Sequence, residues 1–455
     1  MTKFDPISLK ILWDRLVSIS DELVLSLVRT SFSMNVREGY DLSCMVFDSK
    51  ARLLTQGSYS VPSFTGTAPQ TIQHMLKKFP PETLDPGDVI MTNDPWMGTG
   101  HLFDINVMRP VFKGKKLVGY TMSVTHLPDI GGKGMSSDCT EIYHEGLRLP
   151  VCKLQDKGRL NELIVDLIRT NVRVPEQTIG DLMANVACNE VGGRSLLEFM
   201  DEYRLEEIES LADAINLHSE LSMREKIKEI PDGNYKNSIQ IEGPGYPILL
   251  NATVDIRGDK VDIDFSGTDG PVRASINVPF CYTNAQSLYV IKCLTIPGLP
   301  NNEGSMSPIS VRAPDTCILN AQPPWPTGGR HSVGHFVVPL LMGALAPALP
   351  KKVQADAAMM NVFSVQGRHR NGEEISSLFF LAGGLGAMYG LDGRAVTPAP
   401  SNMTVVPTEI WENRTSMTIE KRAILENSGG VGKWMGGAGQ EVIFRNDTGL
   451  SLIHI

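Results

Sequence analysis

Two matching tetrapeptides, His101-Leu102-Phe103-Asp104 and His126-Leu127-Pro128-Asp129, constrain this chain more than any other feature. Between them, residues 107–112 and 117–124 read as strands around the polar, glycine-containing turn Lys113-Gly114-Lys115-Lys116, which predicts a β-hairpin. Pro110 lacks a backbone N–H and predicts a sheet edge for the first strand. A turn centred near Lys115 makes the numbers of facing residues sum to about 230, so Asp104 faces His126 and His101 approaches Asp129. Two imidazoles and two carboxylates then meet at the open end of the hairpin, a ligand set suited to a divalent metal such as Zn, Mn or Fe. One H-x-x-D alone is commonplace at strand ends. Two in mirrored register across one hairpin point to a metal site.

The flanking residues agree. Asn93-Asp94-Pro95-Trp96-Met97-Gly98-Thr99-Gly100 forms a tight loop after the apolar Val89-Ile90 and delivers His101 to a sheet rim. Ile130-Gly131-Gly132-Lys133-Gly134 lets backbone come close to a ligand and present its N–H groups.

These stretches, with Thr140-Glu141-Ile142-Tyr143-His144-Glu145-Gly146-Leu147-Arg148-Leu149-Pro150, resemble the hydantoinase B/oxoprolinase family. The family includes the B-type component of N-methylhydantoinase, the C-terminal half of 5-oxoprolinase and one subunit of the acetone and acetophenone carboxylases. The resemblance extends to Asp5-Pro6, to Arg37-Glu38-Gly39-Tyr40-Asp41-Leu42-Ser43-Cys44, to Asp264-Phe265-Ser266-Gly267-Thr268 and to the glycine-rich 428–441. It implies a manganese-type metal on His101, Asp104 and His126, with Asp129 as a fourth ligand, a partner behind the ligands or a base. Two departures bear on substrate identity. Many hydantoinase-like members carry a histidine in the segment matching Val61-Pro62-Ser63-Phe64-Thr65-Gly66, where this chain has none. Gly383-Gly384-Leu385-Gly386 is followed by Ala387-Met388-Tyr389, less glycine-rich than usual.

Composition excludes several classes. With 455 residues, 42% of them hydrophobic, the chain is long enough for two or three globular domains. A net charge of −9 argues against a nucleic-acid surface. Seven scattered cysteines without C-x-x-C form neither a disulfide framework nor a zinc knuckle and fit a reducing, cytoplasmic setting. No run of eighteen apolar residues occurs, so no membrane segment is expected.

The pattern predicts a multi-domain α+β fold of mixed helices and antiparallel sheets, divided into 1–230, carrying the metal hairpin and a helical region, and a β-rich 231–455. Asp5 caps a helix reaching about residue 32, 40–55 form a hairpin, 69–79 a short helix, and 175–230 a long helical region broken at Gly192-Gly193. Residues 235–242, 248–255 and 260–264 read as successive antiparallel strands, and 281–294 as a helix. The terminal Leu450-Ser451-Leu452-Ile453-His454-Ile455 matches no landmark of the family and resembles read-through of a sequencing adapter, so a truncated C-terminus is expected and His454 is not counted as a ligand.

A second histidine pair lies in Gly328-Gly329-Arg330-His331-Ser332-Val333-Gly334-His335, before the apolar 336–345. It lacks the acidic partner of a metal motif, so Arg330 and His331 read as an anion or substrate contact, against a purely structural helix start. There is no nucleophile elbow, P-loop or Rossmann fingerprint. The resemblance therefore implies that ATP is used by a separate hydantoinase A-type subunit with an actin-like ATPase fold. That partner phosphorylates the carbonyl oxygen of a cyclic amide, and this chain opens the ring with metal-activated water. Asp129 takes the proton, Lys133 or Arg148 balances charge, and Val61-Pro62-Ser63-Phe64 with Trp96 form an apolar wall. The alternatives are a subunit of a biotin-independent ketone carboxylase, recognisable by an additional small subunit, and a metal-binding assembly subunit with no chemistry of its own.

Overall fold

The computed structural model describes residues 4–447 and, as backbone, 451–454. Its centre is a seven-stranded sheet of order β2-β1-β5-β4-β3-β6-β7, built from β1 (Leu42–Asp48), β2 (Leu53–Gln56), β3 (Val89–Thr92), β4 (Asp104–Lys113), β5 (Lys116–His126), β6 (Cys152–Asp156) and β7 (Arg159–Leu160). Alternate residues of β1 feed two cores: Cys44 and Val46 pack with the helices Pro6–Thr30, Pro175–Glu202 and Glu209–Ile227, while Met45 and Phe47 pack with helix Phe64–Lys78. Both faces of β1 are therefore dry, which suits its apolar stretch Cys44-Met45-Val46-Phe47. Leu16, Leu23 and Leu27 of the first helix are fully buried, each stabilising the fold by about 1.5–3 kcal/mol relative to exposure. Asp5 accepts the N–H groups of Ile7 and Ser8, capping that helix as expected.

A second sheet, β11-β10-β9-β8, comprises β8 (Gly233–Ile241), β9 (Ile248–Arg257) and β10 (Lys260–Asp264) in antiparallel order, with β11 (Ile309–Arg312) added parallel to β10. It packs on helices Phe280–Thr295 and Val337–Leu345. Strands β12 (Asn361–Arg368) and β13 (Glu374–Leu381) pair antiparallel, and Ser451–His454 pairs along β12. Through Leu378 and Phe380, β13 joins the core that contains Phe64 and Tyr120. β14 (Met417–Ile424) and β15 (Gln440–Asn446) form a separate ribbon. The side chain of His454 lies outside the described residues, as do Leu450 and Ile455.

Three local expectations are corrected. Pro110 sits in β4, an interior strand, because its neighbour β3 is short: the pairing runs from Ile90↔Met108 to Thr92↔Asn106 and ends before Pro110 needs a donor. Helix Pro175–Glu202 runs unbroken through Gly192-Gly193. A Cβ on Gly192 would lie 2.3 Å from Leu23 Cδ1, so the glycine serves close helix–helix packing and does not end the helix. The short helix expected over 69–79 begins earlier, as Phe64–Lys78 with Pro69 inside it.

Candidate functional site

Asp104 is the first residue of β4, His126 is the last of β5, and the two face each other in the ladder, in the register the turn at Lys115 predicts. His101 arrives from the preceding loop. Asn93 staples that loop, its Nδ2 donating to the carbonyls of Leu102 (2.8 Å) and Leu147 (2.9 Å) while its Oδ1 accepts Leu149 N–H. His101, Asp104 and His126 are all buried, and one potential ligand atom from each lies within 4.8 Å of the others.

The imidazoles are oriented by main chain. His101 Nδ1 lies 3.1 Å from the Gly328 carbonyl and His126 Nδ1 2.9 Å from that of Leu127. A carbonyl only accepts, so each Nδ1 carries the proton and each Nε2 keeps its lone pair. Both Nε2 atoms are buried without a hydrogen-bond partner; His101 Nε2 is 2.9 Å from Asp104 Oδ1, but not in hydrogen-bond alignment. Two converging imidazole lone pairs and a carboxylate oxygen are a donor set that fits Zn, Mn or Fe. Phe103 stacks on the His126 ring at 5.2 Å.

Charge in the site is balanced locally. Asp104 Oδ2 accepts Thr99 Oγ1 at 2.6 Å and Arg330 Nη2 at 2.8 Å. Burial opposes its ionisation, but His101 and Arg330 outweigh that and hold the carboxyl well below the usual carboxylate range. Burial, then the neighbouring His101, pushes His126 down to about 3; burial and Arg330 also lower His101. Both imidazoles are therefore neutral and able to ligate.

A cavity opens over these groups, walled by Val61, Phe64, Met360 and Phe380 and containing Asp41, Arg330, His331 and His335. His331 is thus brought to the triad. Burial, then His335 and Arg330, holds its imidazole well below the ordinary value. Asp129, Arg148, Lys133 and Trp96 are not among the cavity's lining. Asp129 is buried, with Oδ1 accepting Gly131 N–H and Arg173 Nη1 (both 3.0 Å) and Oδ2 accepting Arg173 N–H. Arg148 pairs with Asp94 at 2.6 Å and lies over the Trp96 ring. Trp96 donates its indole N–H to the Ala321 carbonyl. Lys133 is exposed on the glycine-rich loop.

Two further groups in the cavity lie in quoted motifs but were given no role of their own there. Asp41 is buried beside Asp104, and burial followed by that repulsion pushes its carboxyl up to about 8. Its place in the motif of residues 37–44, just before the strand that starts at Leu42, was the available signal. His335, the second histidine of its pair, is buried and pushed down to about 3 by burial and then Arg330.

The sequence pattern of the Hydantoinase B/oxoprolinase family matches residues 5–454. The chain is 30% identical to the B-type component of a putative D-/L-hydantoinase from Pseudomonas sp. (strain NS671), over 99% of this chain and 80% of that protein. It is similar to the crystal structure of ATP-dependent caprolactamase from Pseudomonas jessenii, with a TM-score of 0.88 at 28% identity over 97% of this chain and 78% of the other. The nucleotide-free structure of acetone carboxylase shares the fold, with a TM-score of 0.89 at 20% identity over 97% of this chain and 62% of that one. Among the described residues, no helix is long and apolar enough to cross a membrane. The chain belongs to the hydantoinase B/oxoprolinase family.

Proposed function

We propose that this chain is the B-type component of an ATP-dependent cyclic-amide hydrolase, with its metal site at the open end of the β4–β5 hairpin. The observation that carries the reading is the pair of buried imidazole Nε2 atoms, neither of them in a hydrogen bond, converging with Asp104 beneath an apolar cavity. His101, Asp104 and His126 would hold a divalent ion, Mn, Zn or Fe, which supplies Lewis-acid polarisation and a water of lowered pKa.

The chain's own residues do the rest. Asp41 faces the cavity, makes no side-chain hydrogen bond among the described residues and keeps its proton at neutral pH, so it is the proton donor to the leaving amide nitrogen in this reading. Asp129, with both oxygens engaged by Arg173 and Gly131, holds the turn after β5 in place. His331 and His335 present neutral imidazoles to the amide, and Val61, Phe64, Met360 and Phe380 exclude bulk water. Activation by ATP belongs to an A-type partner, in line with a relative that is one component of a hydantoinase and with the ATP dependence of the Pseudomonas jessenii caprolactamase. The ketone-carboxylase alternative draws on a likeness of fold at 20% identity, whereas caprolactamase is 28% identical.

Elemental analysis of the wild type beside His101→Ala and His126→Ala, paired with ATP-coupled lactam hydrolysis in the presence of the partner, tests the reading. A stoichiometric metal and turnover, both lost in each folded variant, are expected. A folded wild type that stays metal-free after supply of Mn, Zn and Fe would overturn it.

A further inference from the structure

The cavity over the triad has about 50 Å³ of free volume, room for roughly three or four waters at about 10–15 Å³ each. Even a five-membered cyclic amide carries about six non-hydrogen atoms, so this space alone does not admit the ring. His335 lines this cavity and also a second one of about 230 Å³. The second is walled by Tyr289, Cys293, Val338, Met342 and Ala357, with Lys352 and Asp356 as its charged groups. Pro339, Met342, Ala355 and Met388 belong both to it and to a surface groove of about 810 Å³. Groove, chamber and triad cavity are therefore linked in series by shared walls. The His335 ring rests between the rings of His331 (5.8 Å) and Tyr282 (6.3 Å), and its Nδ1 has no hydrogen-bond partner. Packing alone holds it, so turning the ring sacrifices no hydrogen bond at that nitrogen.

We propose that the chamber beyond His335 is where the cyclic amide is first held, entering from the groove, and that His335 is the side chain that separates it from the triad. This rests on the hydrolase reading above. The chamber's apolar wall takes the methylene face of a neutral lactam, and swinging His335 aside merges two spaces into one that holds the ring.

Cys293 lies in the chamber wall and is partly buried, so its thiol reports occupancy independently of turnover. The full-length protein, with and without ε-caprolactam, is treated with methyl methanethiosulfonate and each cysteine is followed by peptide mass mapping. The lactam is expected to slow modification of Cys293 in both the wild type and metal-free His101→Ala. Cys152, also partly buried, is expected to be unaffected. Protection that disappears in His101→Ala would place the ligand at the triad and overturn the proposal, as would a Cys293 rate that ignores the lactam. In the second arm, Ala357→Trp fills the chamber and should lower kcat/KM for lactam by about tenfold or more with metal content unchanged. Turnover within about twofold of wild type would overturn the chamber whatever the reactivity of Cys293. If the wild type turns over no lactam yet Cys293 is still protected, the hydrolase reading fails while the chamber stands.

Discussion

Arg330 and Asp104 form a buried ion pair, Nη2 to Oδ2 at 2.8 Å, across 226 residues of sequence. The same guanidinium donates from Nε to the Thr99 carbonyl at 2.7 Å and stacks on Tyr282 at 4.4 Å. It thus ties the loop that carries His101 to the segment that carries His331 and His335. Breaking a buried pair by removing one partner typically costs about 3–5 kcal/mol, because the other charge is left uncompensated. A bound divalent cation would replace much of that compensation. Arg330→Met is therefore expected to lower Tm more in EDTA than with metal supplied. Melting curves under both conditions decide it, and equal losses would show that Arg330 and the metal do not share Asp104.

Gly100 makes that clamp possible. Its φ is +99°, and a Cβ there would lie 2.6 Å from Arg330 Cδ and 2.9 Å from Nε. Gly114, at the tip of the β4–β5 turn, has φ +64° but open space around it. Gly114→Ala is expected to cost only the backbone strain, about 1–2 kcal/mol. Gly100→Ala should cost more and also lower metal content. Urea unfolding and elemental analysis of the two variants, side by side, separate strain from displacement.

Glu145 should make stability fall with rising pH. It is fully buried, accepts Gly328 N–H at 2.8 Å and the Ser275 hydroxyl on Oε1, and leaves Oε2 without a partner. Burial pushes its carboxyl up to about 7, although those hydrogen bonds resist. Between its ordinary value of 4.5 and about 7, the folded chain keeps a proton that the unfolded chain loses. Stability contributed by this group is present below pH 4.5 and lost as pH rises through about 7, an effect of about 3 kcal/mol. Glu145→Gln removes that component, so its stability relative to wild type should improve from pH 4.5 to 7.5. Urea titrations at both values check this; parallel profiles would refute it.

The triad was legible because its geometry is local. One turn fixes the register of β4 and β5, and Asp104↔His126 follows from counting. Asp129 illustrates the limit of counting. Beyond His126 the ladder ends, the chain turns at Gly131, and the carboxylate goes to Arg173, 44 residues away. Asp41 and the segment carrying Arg330 and His335 reach the site from parts of the chain that no spacing relates to the hairpin. The same contrast holds in the fold. The capped first helix and the antiparallel run β8 to β10 follow from local pattern. The continuity of helix Pro175–Glu202 through two glycines depends on a neighbour, Leu23, that lies 169 residues from Gly192.

Phe64 is expected to set the size of ring that reaches the triad. It lies at the start of helix Phe64–Lys78, is 2% exposed, and lines the cavity with Val61. The helix cannot easily shift away, because a Cβ on Gly66 would already lie 2.5 Å from Ala285 Cα, so the backbones are in close contact there. Phe64→Leu therefore enlarges the cavity without moving its wall. One methylene in an apolar pocket is worth about 1–3 kcal/mol of discrimination. The variant should raise the ratio of kcat/KM for a seven-membered over a five-membered lactam by about tenfold, with metal content unchanged. Competition between the two lactams in one reaction measures that ratio directly. An unchanged ratio would mean that ring size is read elsewhere, and Val61, Met360 and Phe380 would be the next positions to vary.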